Sequence, residues 1–174
     1  MEKIKAVFYG KIILSNSMKA RELYERSSFG VVENDKIVYM PEEAFFLFEE
    51  KKLDFFSEKL KMMSLEEVFK KLTKQDKDFY VRYSVFKDLR KKGFLLKSGL
   101  KFGCDFRVYD KGSKLKKSHS KWLCFCEKES ESIKLKEFAL RGRVVNSTKK
   151  SMLLAIVDNE GDVSYYETNW KKIS

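Results

Sequence analysis

"YSVFKDLRKKGFLLKSGLKFGCDFRVYDKG", residues 83–112, decides the fold of this 174-residue chain. Its first part continues a helical stripe. Phe79, Tyr83, Phe86 and Leu89 recur three or four positions apart, and Gly93 offers the left-handed residue that closes a helix. Two β-rich runs follow, "FLLKS" (94–98) and "CDFRVY" (104–109), and a third, "KWLCFCE" (121–127), lies beyond a lysine-rich loop. "SIKLKEFAL" (132–140) reads as a short helix. "RGRVVNS" (141–147), "MLLAIVD" (152–158) and "VSYYETNW" (163–170) read as three more strands, the last two joined by the turn "NEGD". A helix, three strands, a helix and three strands predict an α/β module, a mixed sheet flanked by helices.

Upstream, the polar break "KQDKD" (74–78) divides the chain into residues 1–75 and 76–174. The first part reads as a small α+β domain. "AVFYGKIILS" (6–15) is strand, Gly10 turn and strand, and Ser17 is an N-cap for the helix that follows. Asn34-Asp35 between two β-rich runs signals a hairpin. Pro41 with two following glutamates opens a second helix, and Ser64 with Glu67 forms a capping box for a third, with Leu65, Val68, Phe69 and Leu72 at helical spacing. These motifs are scaffold, and no catalytic cluster lies among them.

Charge divides the chain more sharply than hydropathy does. Residues 1–75 carry 14 basic and 13 acidic side chains, and residues 76–174 carry 23 and 13. An excess confined to one half points to a polyanionic partner, most often nucleic acid. No run of about 20 uncharged apolar residues marks a membrane span, and no secretory leader is legible at the N-terminus. Three cysteines without framework spacing (Cys104, Cys124, Cys126) suit a reducing, cytoplasmic setting, and a single histidine with no Cys-x-x-Cys cluster leaves no metal site or cofactor to expect.

That histidine, His119, sits in the loop carrying Lys111, Lys114, Lys116, Lys117 and Lys121, ten residues after Tyr109. Serine-hydrolase and phosphate-loop motifs are absent. A tyrosine, a histidine and a lysine are nevertheless sufficient to cleave RNA without a metal, because the ribose 2′-OH is itself the nucleophile. One group removes its proton, one protonates the departing 5′-oxygen, and one stabilises the phosphorane. Imidazole suits general acid work near neutrality, whereas a phenol, with a reference pKa of about 10, needs a nearby cation to act as base. The candidate lysine is one of the pair Lys149-Lys150.

The text of residues 79–168 resembles the catalytic domain of archaeal tRNA-splicing endonucleases. The resemblance rests on "YSVFKDLRKKGFLLKSGLKFGCDFRVYDKG", "SHSKWLCF" and "KKSMLLAIVDNEGDVSYY", in order and spacing. "YMPEEAFFLFEEKKLDF" (39–55) resembles the family's N-terminal domain more loosely. The resemblance implies Tyr109 as general base, His119 as general acid and Lys150, with Lys149 as a rival, as the stabiliser of the transition state. It implies Arg143 and Tyr165 as a clamp on an extruded nucleotide. Lys116 and Lys117 are expected to contact RNA phosphates. The implied activity is cleavage of precursor tRNA at bulged intron–exon junctions, leaving a 2′,3′-cyclic phosphate and a 5′-hydroxyl. The implied assembly is a homotetramer, or a heterotetramer with a structural subunit, held by the C-terminal strands and by the acidic loop "EKESES" (127–132). A non-catalytic RNA-binding module and a structural partner subunit are the competing readings.

Overall fold

A computed structural model of the chain describes residues 3–115, 118–171 and 173. It separates into two compact units, Met1–Tyr83 and Ser84–Ser174. The polar stretch 74–78 spans the end of one helix and the turn before the next. Among the described residues no helix is long and apolar enough to cross a membrane.

The first unit runs β1 (Ile4–Tyr9), β2 (Ile12–Ser15), α1 (Met18–Ser27), β3 (Val31–Glu33), β4 (Lys36–Tyr39), α2 (Pro41–Glu49), β5 (Leu53–Phe56) and α3 (Leu65–Gln75). Its sheet has the order β3-β4-β2-β1-β5. Local chemistry sets most of these boundaries. The Ser17 hydroxyl accepts from the Ala20 amide at 3.2 Å and starts α1. Asn34 and Asp35 both hold positive φ (46° and 60°) between the paired residues Glu33 and Lys36, which is a two-residue hairpin whose twist suits the flanking strands. Ser64 and Glu67 exchange both bonds of the capping box that opens α3. Strand β5, which its short apolar run did not announce, lies parallel to β1, with Ile4 paired to Leu53.

Helix α4 (Phe79–Lys91) runs across the boundary, its last eight residues belonging to the second unit, which continues with β6 (Leu95–Ser98), a 3-10 turn (Leu100–Phe102), β7 (Phe106–Tyr109), β8 (Trp122–Lys128), α5 (Leu135–Ser147), β9 (Ser151–Val157) and β10 (Val163–Thr168). The sheet order is β10-β9-β8-β7-β6, antiparallel throughout except for the parallel pair β8–β9. One face carries Phe106, Cys124, Leu153, Ala155 and Tyr165. The Phe106 ring meets Phe86 of α4 there, with centroids 6.0 Å apart. The opposite face carries Leu123, Phe125, Met152 and Leu154, on which Phe138 and Val145 of α5 pack. A mixed sheet with a helix on each face is the α/β arrangement expected.

One expected strand is helix instead. "RGRVVNS" (141–147) continues the helix begun at Leu135, and the unit has two strands after it rather than three. The adjacent valines suggested β structure, but tertiary packing decides. Phe138 and Val145, seven positions apart, fall on one helical face and enter the cluster with Leu123 and Met152, while Val144 stays exposed. A helix is also what a parallel crossover from β8 to β9 requires.

Gly30 has φ +76°, and a Cβ there would lie 2.4 Å from Ile37 Cγ2 and 2.9 Å from the Val38 carbonyl oxygen. Gly30→Ala is therefore expected to lower stability by about 2 kcal/mol through combined backbone and packing strain, read by denaturant unfolding. An unchanged midpoint would contradict this close approach.

Candidate active site

Strand register brings three distant chain positions to one end of the second sheet. β8 and β9 run parallel, so their N-termini lie side by side, and β7 runs antiparallel to β8, so its C-terminus reaches the same end. Tyr109 is the last residue of β7, His119 precedes β8 by three residues, and Lys150 immediately precedes β9. Backbone bonds fasten this end. The Lys121 amide donates to the Val108 carbonyl at 2.9 Å, and the Ser151 amide donates to the Lys121 carbonyl at 3.1 Å. The Lys150 ammonium donates to the Ser120 carbonyl at 2.7 Å, one peptide beyond His119. Tyr109 is buried, with 4% of its surface exposed, His119 is exposed, and Lys150 is half-buried.

Arg107 completes the local electrostatics, and sequence reading did not single it out. It stands two residues before Tyr109 and therefore on the same face of β7. Its Nε donates to the Ser98 carbonyl at 2.9 Å. Burial, and next the positive charge of Arg107, hold the Lys150 ammonium below the ordinary lysine range. The signal available in the sequence was the strand alternation of "FRVY", which puts the arginine and the tyrosine on one side.

The end of α5 distinguishes the two candidate lysines. The Lys149 amide donates to the Asn146 carbonyl at 3.0 Å and the Lys150 amide to the Val145 carbonyl at 3.2 Å, the paired bonds of a Schellman cap. Lys149 occupies the left-handed position of that cap, with φ 54°, and its side chain is exposed. Lys150, one residue on, turns inward to Ser120.

The expected nucleotide clamp is not assembled within one chain. Tyr165 pairs with Ala155 and lies on the α4 face, where its hydroxyl donates to Asp88 Oδ2 at 2.7 Å and the Lys92 ammonium stands 5.3 Å from its ring centroid. Burial and then the Asp88 carboxylate push its phenol well above the ordinary range, so it is locked neutral. Arg143 is exposed on α5, on the other side of the sheet, and shares a cleft of about 330 Å³ with Trp170 and Lys171. Of the lysines expected at phosphate, Lys116 and Lys117 lie outside the described residues. The first two residues of the expected acidic loop belong to β8: Glu127 is the acceptor for Arg141 Nη1 at 2.5 Å, and Glu131, in the turn beyond the strand, pairs with Lys128 at 3.1 Å.

Comparison with known proteins agrees with this architecture in both units. Residues 79–165 match the family model described as tRNA intron endonuclease, catalytic C-terminal domain, and residues 4–69 match the one described as tRNA intron endonuclease, N-terminal domain. The chain is 37% identical over 164 residues to a tRNA-splicing endonuclease of Pyrococcus abyssi, covering 94% of each. It is 37% identical over 172 residues to one of Thermococcus onnurineus, covering 98% of each. It is 39% identical over 136 residues to one of Nanoarchaeum equitans, covering 75% of this chain and 86% of that protein. The chain belongs to the tRNA intron endonuclease family.

Titrating the lysine side chains by carbon-13 NMR is expected to show Lys150 losing its proton below the ordinary lysine range. Arg107→Gln is expected to move that titration upward, because a neighbouring cation has been removed. No difference between the two proteins would contradict the coupling.

Proposed function

We propose that the chain is the catalytic subunit of a metal-independent endonuclease that cuts precursor tRNA at the bulged junctions of a bulge–helix–bulge. The observation that carries this reading is the Lys150–Ser120 bond, which fastens a cation to the residue that follows His119, at the sheet end where Tyr109 terminates β7. Residues 76–174 supply the chemistry. Tyr109, acting as phenolate, takes the proton of the ribose 2′-OH and becomes the neutral phenol. The 2′-oxygen attacks phosphorus and the bond to the 5′-oxygen breaks. His119, acting as imidazolium, gives that oxygen a proton and becomes neutral, and Lys150 stabilises the charge on the phosphorane. The products are a 2′,3′-cyclic phosphate and a 5′-hydroxyl, and every proton is accounted for without a metal.

Arg143 remains the candidate for stacking on an unpaired base, and in this chain the aromatic that shares its cleft is Trp170 rather than Tyr165. The lysine-rich loop around His119 supplies non-specific attraction for phosphates, which suits recognition by RNA shape. The same reading makes the active form a tetramer, either of four identical chains or with a structural subunit. Strand β10 supports it by lying at the sheet edge with Tyr166 55% exposed. The acidic loop supports it less, since Glu127 and Glu131 already have partners within the chain.

Incubation with a bulge–helix–bulge RNA in excess chelator is expected to yield the cyclic-phosphate product. Binding without cleavage, in protein of any assembly state, would leave only an RNA-binding module. His119→Ala is expected to lower the single-turnover rate by about 10²–10⁴-fold while RNA affinity stays within a few-fold. Equal loss of both would make His119 a binding residue.

Lys150→Ala is expected to cost about 10²–10³-fold in the same rate. Lys149→Gly is expected to raise stability by about 1 kcal/mol, by relieving the left-handed position, and to leave most of the rate intact. The reverse pattern would transfer the transition-state role to Lys149.

A further inference from the structure

The first unit is nearly neutral by count, yet five of its basic side chains line the two sides of one cleft of about 350 Å³. Lys19, Glu22, Leu23 and Arg26 of α1 line it at i, i+3, i+4 and i+7, a single helical face. The N-terminus of β1 and the turn between α2 and β5 close the other side with Lys3, Ile4, Lys51 and Lys52. Five cations and one carboxylate thus surround an apolar floor made by Ile4 and Leu23.

Three of those cations have acidic partners: Lys3 with Asp54 at 2.8 Å, Lys19 with Glu22 at 3.3 Å, and Lys52 with Glu50 at 3.8 Å. Arg26 and Lys51 have none among the described residues, and both are exposed. Lys51 also stands in a strained place. The Lys51 amide donates to the Phe48 carbonyl and the Lys52 amide to the Leu47 carbonyl, both at 2.9 Å, so α2 ends in a Schellman cap with Lys51 at the left-handed position, φ 56°. Glycine fills that position in the equivalent cap of α4, at Gly93. A lysine there is strained relative to glycine, and strain of this kind concentrates at functional positions.

We infer that this cleft binds one unpaired nucleotide of the precursor RNA, other than the two joined by the scissile bond. The base lies against Ile4 and Leu23, and the flanking phosphates meet Arg26 and Lys51. A volume near the lower end of small-ligand sites (about 300–1,000 Å³) suits a single nucleotide and excludes a duplex. An acidic segment of a second copy is the rival occupant. It is disfavoured because Glu127 and Glu131 of the chain's own acidic loop are already paired. The inference rests on the reading of the chain as a nuclease for precursor tRNA.

The full-length Arg26→Gln/Lys51→Gln protein tests it, with a whole precursor tRNA transcript and a short RNA holding only the cleavage junction. For the precursor, affinity is expected to fall about tenfold. The slope of log K against log salt is expected to become shallower by about 1.4–1.8, since each of the two lost phosphate contacts removes roughly 0.7–0.9. The single-turnover rate at saturation and the affinity for the short RNA should not follow. The charge-preserving pair Arg26→Lys/Lys51→Arg should restore precursor binding, and an unchanged melting midpoint verifies the fold. Unchanged precursor affinity and slope would overturn the inference, as would a loss of native assembly mass without a loss of RNA affinity, which would assign the cleft to an acidic protein segment. Wild-type protein that binds both RNAs and cuts neither would end the nuclease reading alone, because the cleft is read by binding.

Discussion

The parallel ladder between β8 and β9 is the constraint from which the second unit follows. Seven residue pairs in register, Trp122 with Ser151 through Lys128 with Val157, fix where β9 must begin. A parallel neighbour cannot be reached by a tight turn, so the chain has to cross the sheet, and α5 is that crossing. Where α5 stops is then no longer free. Its Schellman cap delivers Lys149 to solvent and Lys150 to the carbonyl of Ser120, and the adjacent His119 is carried along by the start of β8. Slipping the ladder by one residue would exchange these two lysines and turn Met152 and Leu154 away from Phe138 and Val145.

Both units use the same device. In each, a helix ends in a Schellman cap whose left-handed residue is lysine, a second lysine follows, and the chain enters a strand parallel to an earlier one: Lys51-Lys52 before β5 beside β1, and Lys149-Lys150 before β9 beside β8. The equivalent cap of α4, which leads into no parallel strand, holds glycine at that position, Gly93. The arrangement puts two cations at the mouth of a parallel strand pair, a geometry well suited to phosphate.

Much of this was legible from residues alone, because the signals were local. Ser17, the Asn34-Asp35 turn, the Ser64–Glu67 box and Gly93 each act within a few residues, and the structure carries all four as read. The misreading of residues 141–147 has a nonlocal cause: two valines favour a strand until Phe138 and Val145 find Met152 across the core. The separation of Arg143 from Tyr165 is also nonlocal, since only the register of β10 on β9 decides that Tyr165 faces α4. Arg107 went unnoticed because an arginine within a strand has no motif of its own. The cleft at α1 escaped a count of charges along the chain, which sees a balanced segment where the fold brings five cations from three separate stretches to one cleft.

The central claim is that a buried phenol, an exposed imidazole and a carbonyl-anchored ammonium converge on a single ribose–phosphate linkage. The most direct measurement is the structure of the protein bound to a precursor RNA whose scissile nucleotide lacks the 2′-hydroxyl, so that the complex forms but cannot react. The account predicts the Tyr109 hydroxyl beside the vacant 2′ position, His119 within hydrogen-bond reach of the 5′-oxygen, and the Lys150 Nζ at a non-bridging phosphate oxygen. Finding the scissile phosphate elsewhere, with any of these three groups on the far side of the sheet end from it, would contradict the account.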